Sequence, residues 1–320
     1  FRFVAKVKAT NGYKMVSTFS GCGGSCLGFE MAGYDVLWAN EFVEEARNTY
    51  AINHDTVMLN GQDIREITPE QILKETGLQV GELDLLEGSP PCASFSMAGS
   101  REKAWGREKK YSDTVQRADD LFFEYTRLVK GLQPKVFVAE NVTGLVRGKA
   151  IGYFKEIVRE LESHGYLVSA KVLDASWLGV PQARQRLIIV GVRKDLAEKY
   201  NVTPAFPKPF VTRYNLRDVI NVDEEPVTHD PETGHDISLD KYAVGKQWDY
   251  VKTGEQSTKY FQLVKPSLDK PIGTITATGG VVGAAGITHP IQKRKFTLKE
   301  LRLLSSFPED FELTGTFQQR

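Results

Sequence analysis

Cysteine is scarce in this chain of 320 residues: Cys22, Cys26 and Cys92 are the only three. So few thiols exclude a disulfide framework, and reduced cysteines fit an intracellular protein. Long apolar runs are lacking as well, since none approaches the roughly 20 residues that a membrane helix needs. The first residues, Phe1-Arg-Phe-Val-Ala-Lys6, contain no signal-peptide core, so a cytoplasmic location is expected. No internal repeat is visible, and no metal-ligand set is assigned. Net charge is also missing, with 41 basic residues against 41 acidic ones, which argues against a general nucleic-acid coat protein.

That neutrality hides an asymmetry. Residues Asn221 to Asp240 hold seven acidic residues and no Lys or Arg, whereas Lys241 to Arg302 hold eleven basic and four acidic ones. A neutral chain with a basic segment suits an enzyme that grips a polyanion on one face; a solvated charged surface would give the same counts.

The first 193 residues alternate short apolar runs with helical patterns, the signature of a mostly parallel sheet covered by helices. Strands are expected at Tyr13–Phe19, Asp35–Ala39, Leu83–Glu87, Lys135–Ala139, Leu167–Leu173 and Arg186–Val192, and helices at Asp119–Lys130 and Ala150–His164. After Lys194 the pattern degrades, with five prolines in residues 201–240. A boundary is therefore drawn near Arg193. Regularity returns as a strand at Gly273–Thr278 and a short helix within Phe296–Phe307, ended by Pro308.

Strand Tyr13–Phe19 runs into Gly21-Cys-Gly-Gly24, where glycines allow a tight turn and a helix N-terminus offers free N–H groups. Glu41 ends the next strand, in place to accept from ribose hydroxyls. Cys26 stands where the third glycine of a dinucleotide fingerprint belongs, so that motif is incomplete. Cys92 follows Pro90-Pro91 at a strand end in a loop of small residues, which leaves a thiol accessible. Glu140 ends the strand Val136-Phe-Val-Ala, where burial would favour its neutral form. Gln182-Ala-Arg-Gln-Arg186 places Arg184 and Arg186 on one side of an extended segment.

A glycine turn, Pro-Cys, Glu-Asn-Val and Gln-x-Arg-x-Arg in this order resemble the DNA cytosine-5 methyltransferases, over residues 13–311. The resemblance implies a doubly wound α/β sheet of the S-adenosylmethionine-dependent type, with a second, smaller, irregular β-rich target recognition domain. It divides the chain into residues 1–193 for catalysis and cofactor, 194–295 for target recognition and 296–320 as a return segment. It implies methyl transfer from S-adenosylmethionine to C5 of a flipped-out cytosine in a specific duplex DNA sequence, in a bacterial or phage modification setting. Cys92, Glu140, Arg184 and Arg186 would be catalytic. Phe19, Gly21, Cys22, Gly24, Glu41, Phe42, Asp63, Ile64, Pro91 and Leu121 would hold the cofactor. Ser96, Gly99 and Arg101, in a basic loop read as a lid, and Thr274, Thr276, Thr278, Gly279 and Gly280 would meet DNA.

Two departures stand out. Ala93 replaces the family's glutamine after the cysteine, and the chain stops at Phe317-Gln-Gln-Arg320, before the family's Gly-Asn segment and final helix. That element is expected elsewhere: unseen, supplied by a second chain, or cut away. The enzyme is otherwise expected to act as a monomer on DNA. A dinucleotide oxidoreductase gives no role to Cys92, Glu140 and Arg186 together. An RNA substrate and a catalytically silent DNA-binding regulator stay open as alternatives.

Overall fold

A computed structural model of the chain describes residues 11–91, 109–111, 114–116, 121–148, 150–276 and 281–319. The described residues fall into two compact units, 11–173 with 185–206, and 174–184 with 207–319.

The strands in chain order are β1 (Lys14–Thr18), β2 (Asp35–Asn40), β3 (Met58–Asn60), β4 (Leu85–Gly88), β5 (Lys109–Tyr111), β6 (Thr114–Gln116), β7 (Val136–Val142), β8 (Tyr166–Asp174), β9 (Gln182–Ala183), β10 (Gln185–Arg193) and β11 (Ile272–Gly273). The helices are α1 (Gly24–Met31), α2 (Glu44–Asn53), α3 (Pro69–Thr76), α4 (Leu121–Leu132), α5 (Ala150–Ser163), α6 (Lys194–Tyr200), α7 (Ala243–Trp248) and α8 (Leu298–Leu304).

The first unit is built on a seven-stranded sheet of order β3-β2-β1-β4-β7-β10-β8. Strands β1, β2, β3, β4 and β7 pair in parallel, and β10 runs antiparallel to β7 from Arg186 opposite Val142 to Val192 opposite Val136. The order reverses at β1, so a crevice is expected beyond the carboxyl ends of β1 and β4. The turn after β1, Glu41 after β2, Asp63 after β3, Pro90-Pro91 after β4 and the end of β7 all lie at that edge.

Helical spacing explains why α4 packs as it does: Leu121, Phe122, Tyr125, Leu128, Val129 and Leu132 are all buried. The Tyr125 hydroxyl lies 3.1 Å from the carbonyls of Leu86 and Val138, so it braces β4 against β7. Phe137 packs edge-on to Tyr166. A Cβ on Gly191, its register partner, would come within 2.0 Å of the Phe137 ring, so a glycine is needed there. Each fully buried aliphatic or phenyl side chain of this kind is worth about 1.5–3 kcal/mol.

The second unit departs from the β-rich expectation. Among its described residues, β structure is confined to the two-residue β9/β11 ladder and isolated bridges such as His229 with Asp236 and Gln256 with Val264. Its apolar clusters gather around Trp248 and around Phe296. The capping box of α8 pairs Thr297 with Glu300, and Arg294 grips that same Glu300 with two bonds of 2.7 and 2.9 Å.

The strand expected over Gly273–Thr278 lasts only through Gly273. The reason is local: the buried Gln182 side chain accepts from Ile275 N (3.3 Å) and Thr274 Oγ1 donates to Ala183 O (2.8 Å), so side chains replace the next ladder rungs. Irregular chain begins later than expected as well, because α6 continues the first unit through Tyr200.

Candidate active site

The turn after β1 is shaped by three residues in the left-handed region, Phe19 (φ 55°), Gly21 (57°) and Gly23 (91°). A Cβ on Gly23 would meet His54 Nε2 at 2.3 Å, so that position is closed to any side chain. Gly21 instead faces open space, with nothing within 4 Å of where its Cβ would lie. Helix α1 begins with Gly23 as its cap and has no side-chain cap and no acidic residue in its first turn. Its leading N–H groups are thereby offered to an anion.

Glu41 is stitched to this turn. Its Oε2 accepts from Gly21 N at 2.8 Å and its Oε1 from Val43 N at 2.7 Å. Burial pushes the carboxyl above its usual range, against those backbone bonds and the nearby Arg47. Arg47 also donates to the carbonyls of Glu41 and Phe42. Burial pushes the Cys22 thiol up, and the Cys26 thiol up to about 12, so neither is a nucleophile near neutral pH.

The remaining cofactor candidates divide. Asp63 is held by Arg65 at 3.0 Å. Ile64 and Leu121 lie in the main core, against which Phe19 packs. Phe42 and Pro91 are half-buried at the strand ends. The motif around the turn thus offers an anion-binding helix end, an adjacent carboxylate and an apolar wall. This donor set fits S-adenosylmethionine, which brings a carboxylate, ribose hydroxyls and an adenine ring.

Across the sheet, the adjacent strands β7 and β10 bring Glu140 and Arg186 together, Oε1 to Nε at 2.7 Å. The buried setting expected for Glu140 is corrected: its side chain is 33% exposed, because it follows the partly open face of β7. Asn141 is the buried neighbour, and its Nδ2 donates to Pro90 O at 3.1 Å, tying the end of β7 to the segment just before Cys92 in sequence.

Cys92, Ser96, Gly99, Arg101, Thr278, Gly279 and Gly280 lie outside the described residues. Arg184, Thr274 and Thr276 belong to the second unit, where Thr276 is exposed beside a small apolar cavity with Ile275, Ile287, Phe296 and Leu301. One group escaped the sequence reading. Glu87 on β4 is buried beneath the turn, and its signal was a charged residue closing the apolar run Leu85-Leu86.

The fold and this sheet edge define an α/β enzyme of the methyltransferase type, with a largely parallel sheet and a ligand corner at its switch point. The sequence model of the C-5 cytosine-specific DNA methylase family matches residues 13–320, and the chain belongs to that family of DNA cytosine-5 methyltransferases. It is 32% identical to the type II methyltransferase M.NgoFVII of Neisseria gonorrhoeae, over 96% of this chain and 81% of that protein. It is 40% identical to M.FnuDI of Fusobacterium nucleatum over a shorter stretch, 57% of this chain and 48% of that protein. Among solved structures, a protein described as a DNA modification methyltransferase of an E. coli prophage shares the fold with a TM-score of 0.69 at 23% identity, covering 96% of this chain and 93% of that one. No helix among the described residues is long and apolar enough to cross a membrane.

Proposed function

We propose that this chain methylates C5 of a flipped-out cytosine in a specific duplex DNA sequence through a covalent bond from Cys92 to C6, as a modification enzyme. The observation that carries the reading is one sheet edge that gathers an anion-binding turn, the Pro90-Pro91 entry to Cys92, and the Glu140–Arg186 pair.

In this reading S-adenosylmethionine supplies an electrophilic methyl group. Gly21, Cys22 and Gly24 form the turn under its methionyl part, Glu41 takes the ribose, and Asp63 and Ile64 the adenine edge. Phe19, Phe42, Pro91 and Leu121 wall the corner.

The Cys92 thiolate adds to C6 and makes C5 nucleophilic. Glu140 hydrogen-bonds the N3 edge, passing on a proton from solvent, and Arg186 takes O2 with Arg184 nearby in sequence. These contacts stabilise a ring that gains negative charge. After transfer, a base removes the C5 hydrogen as a proton, and the C6–S bond breaks to restore the ring and the thiolate. A stacked base hides C6, which is why flipping is needed. Residues 1–193 would carry this chemistry, 194–295 target reading through Thr274, Thr276, Thr278, Gly279 and Gly280, and 296–320 the return. Ser96, Gly99 and Arg101 would close on DNA, with eleven basic residues in Lys241–Arg302 supplying further phosphate contacts.

The test is trapping. Duplex DNA carrying 5-fluorocytosine at the target blocks elimination, since fluorine does not leave as a cation. A denaturation-resistant adduct is expected with S-adenosylmethionine, and none in Cys92→Ala. Near-normal methylation by Cys92→Ala would overturn the mechanism.

A further inference from the structure

Beneath the glycine turn lies a carboxyl group to which the chemistry above gives no task. Glu87 keeps only 5% of its surface exposed. It stands opposite Ser17 in the β1/β4 register, and Ser17 Oγ donates to its Oε2 at 2.6 Å. Ser17 Oγ also lies 2.8 Å from Ser20 Oγ, inside the turn, and the Ser25 side chain at the start of α1 bonds the same carboxyl. Hydroxyls from the strand and the helix therefore converge on one acid, and Ser17 links it to the hydroxyl of the turn.

Among the described residues, that acid has no cation beside it. The titratable groups that face it are Cys26 on α1, Tyr50 on α2, Tyr125 on α4 and Glu140 on β7, and no Lys, Arg or His among the described residues pairs with it. Hydroxyls satisfy its hydrogen bonds but leave its charge uncompensated, which is costly in a buried site. Burial, with the charge of Glu140 added and the Ser17 and Ser25 bonds opposing, pushes its pKa up to about 7.

The methyl donor and its spent product differ by one charge, a sulfonium against a thioether. On the function proposed above, the sulfur has to lie between the turn after β1 and the carboxyl end of β4, because its methyl must reach a base held by Cys92. Glu87 sits on β4, five residues before Cys92, and is linked to the turn through Ser17. We propose that Glu87 is a positioning residue that makes the site prefer the sulfonium donor over the thioether product, its ionised carboxyl supplying the counter-charge to the sulfonium. The inference rests on that function, and it assigns product rejection to a residue that need not touch the reacting carbon.

Calorimetric titration of the full chain with S-adenosylmethionine and, separately, S-adenosylhomocysteine, without DNA and from pH 6 to 8.5, tests it. The ratio of the two affinities should shift several-fold towards the donor as pH rises through 7, and by no more than about tenfold per pH unit, the limit for one linked proton. The amino groups of both ligands also titrate at alkaline pH, and Glu87→Gln reports that background. Ser17→Ala keeps the carboxyl but removes a bond to its charged form, so the shift should persist with a higher midpoint. A wild-type ratio that is the same at every pH overturns the proposal, as does an undiminished shift in Glu87→Gln. Failure of either ligand to bind at any pH would instead overturn the function on which it rests.

Discussion

Two carboxylates on neighbouring strands, Glu87 on β4 and Glu140 on β7, sit in opposite electrostatic settings. Glu87 is buried, bonded by hydroxyls and, among the described residues, without a cation. Glu140 is a third exposed and holds a guanidinium at 2.7 Å. On the function proposed above, the difference matches what each half of the edge would receive. The turn side would take a ligand that brings its own positive charge, which suits a buried acid with no cation among the described residues. The base side would take a neutral ring that becomes anionic, which suits a pre-arranged Arg186. An ion pair this exposed is worth no more than about 1 kcal/mol, so a base that needs both groups can separate them at little cost.

Breaking the base side should give the largest effect. On the mechanism proposed above, Glu140→Gln removes the proton relay to N3 while keeping its shape, and kcat should fall by roughly 10²–10⁴. Affinity for S-adenosylmethionine should stay within about twofold, as measured by calorimetry on the same preparation. A variant that lost cofactor affinity and kept kcat would move Glu140 to the other half of the comparison.

The next effect separates the two acids by pH. Burial makes the folded chain hold the Glu87 proton up to about pH 7, against an ordinary value of 4.5. Between those values the folded state binds more protons than the unfolded state, so stability falls as pH rises. The contribution is fully present below pH 4.5 and is lost as pH passes through 7, about 3 kcal/mol in all. Glu87→Gln cannot titrate. Urea unfolding should therefore show the wild type losing stability relative to the variant across this window, and a constant difference would mean that Glu87 is not a buried acid.

How much of this was legible differs between the two compact units. Strands β1, β2, β4, β7, β8 and β10 were readable within a few residues because each is an apolar run with turn signals at its ends. Strand β3, Met58–Asn60, is too short to leave a periodic trace. Helix α3 went unread although its signals were present: Thr68 caps it, Pro69 opens it and Gly77 closes it in the left-handed region. In the second unit the Thr- and Ile-rich stretch after Ile272 reads as a strand, yet strand propensity needs a partner ladder. Gln182 and Thr274 take those bonds with side chains, which no local pattern reveals. Glu41, Glu140 and Arg186 were legible as candidates from order and spacing, and the structure brings them to one edge of the sheet. The burial of Glu87 and the exposure of Glu140 were not legible, because both depend on which helices cover the sheet.

The smallest effect tests how finely the donor side is built. Asp63 is held by Arg65 at 3.0 Å, with both side chains about a quarter exposed. If its carboxylate accepts from the adenine amino group, Asp63→Asn keeps one acceptor oxygen and loses the charge assistance. Losing that assistance costs about 1 kcal/mol, or roughly fivefold in cofactor affinity. Arg65→Ala removes only a partly exposed ion pair, worth less than about 1 kcal/mol, and it leaves the acceptor in place. Its affinity for S-adenosylmethionine should stay within about twofold of wild type. Calorimetry on the two variants separates the cases: equal losses would mean that Asp63 acts through the loop it shares with Arg65, and a loss confined to Asp63→Asn would mean that the carboxylate meets the ligand itself.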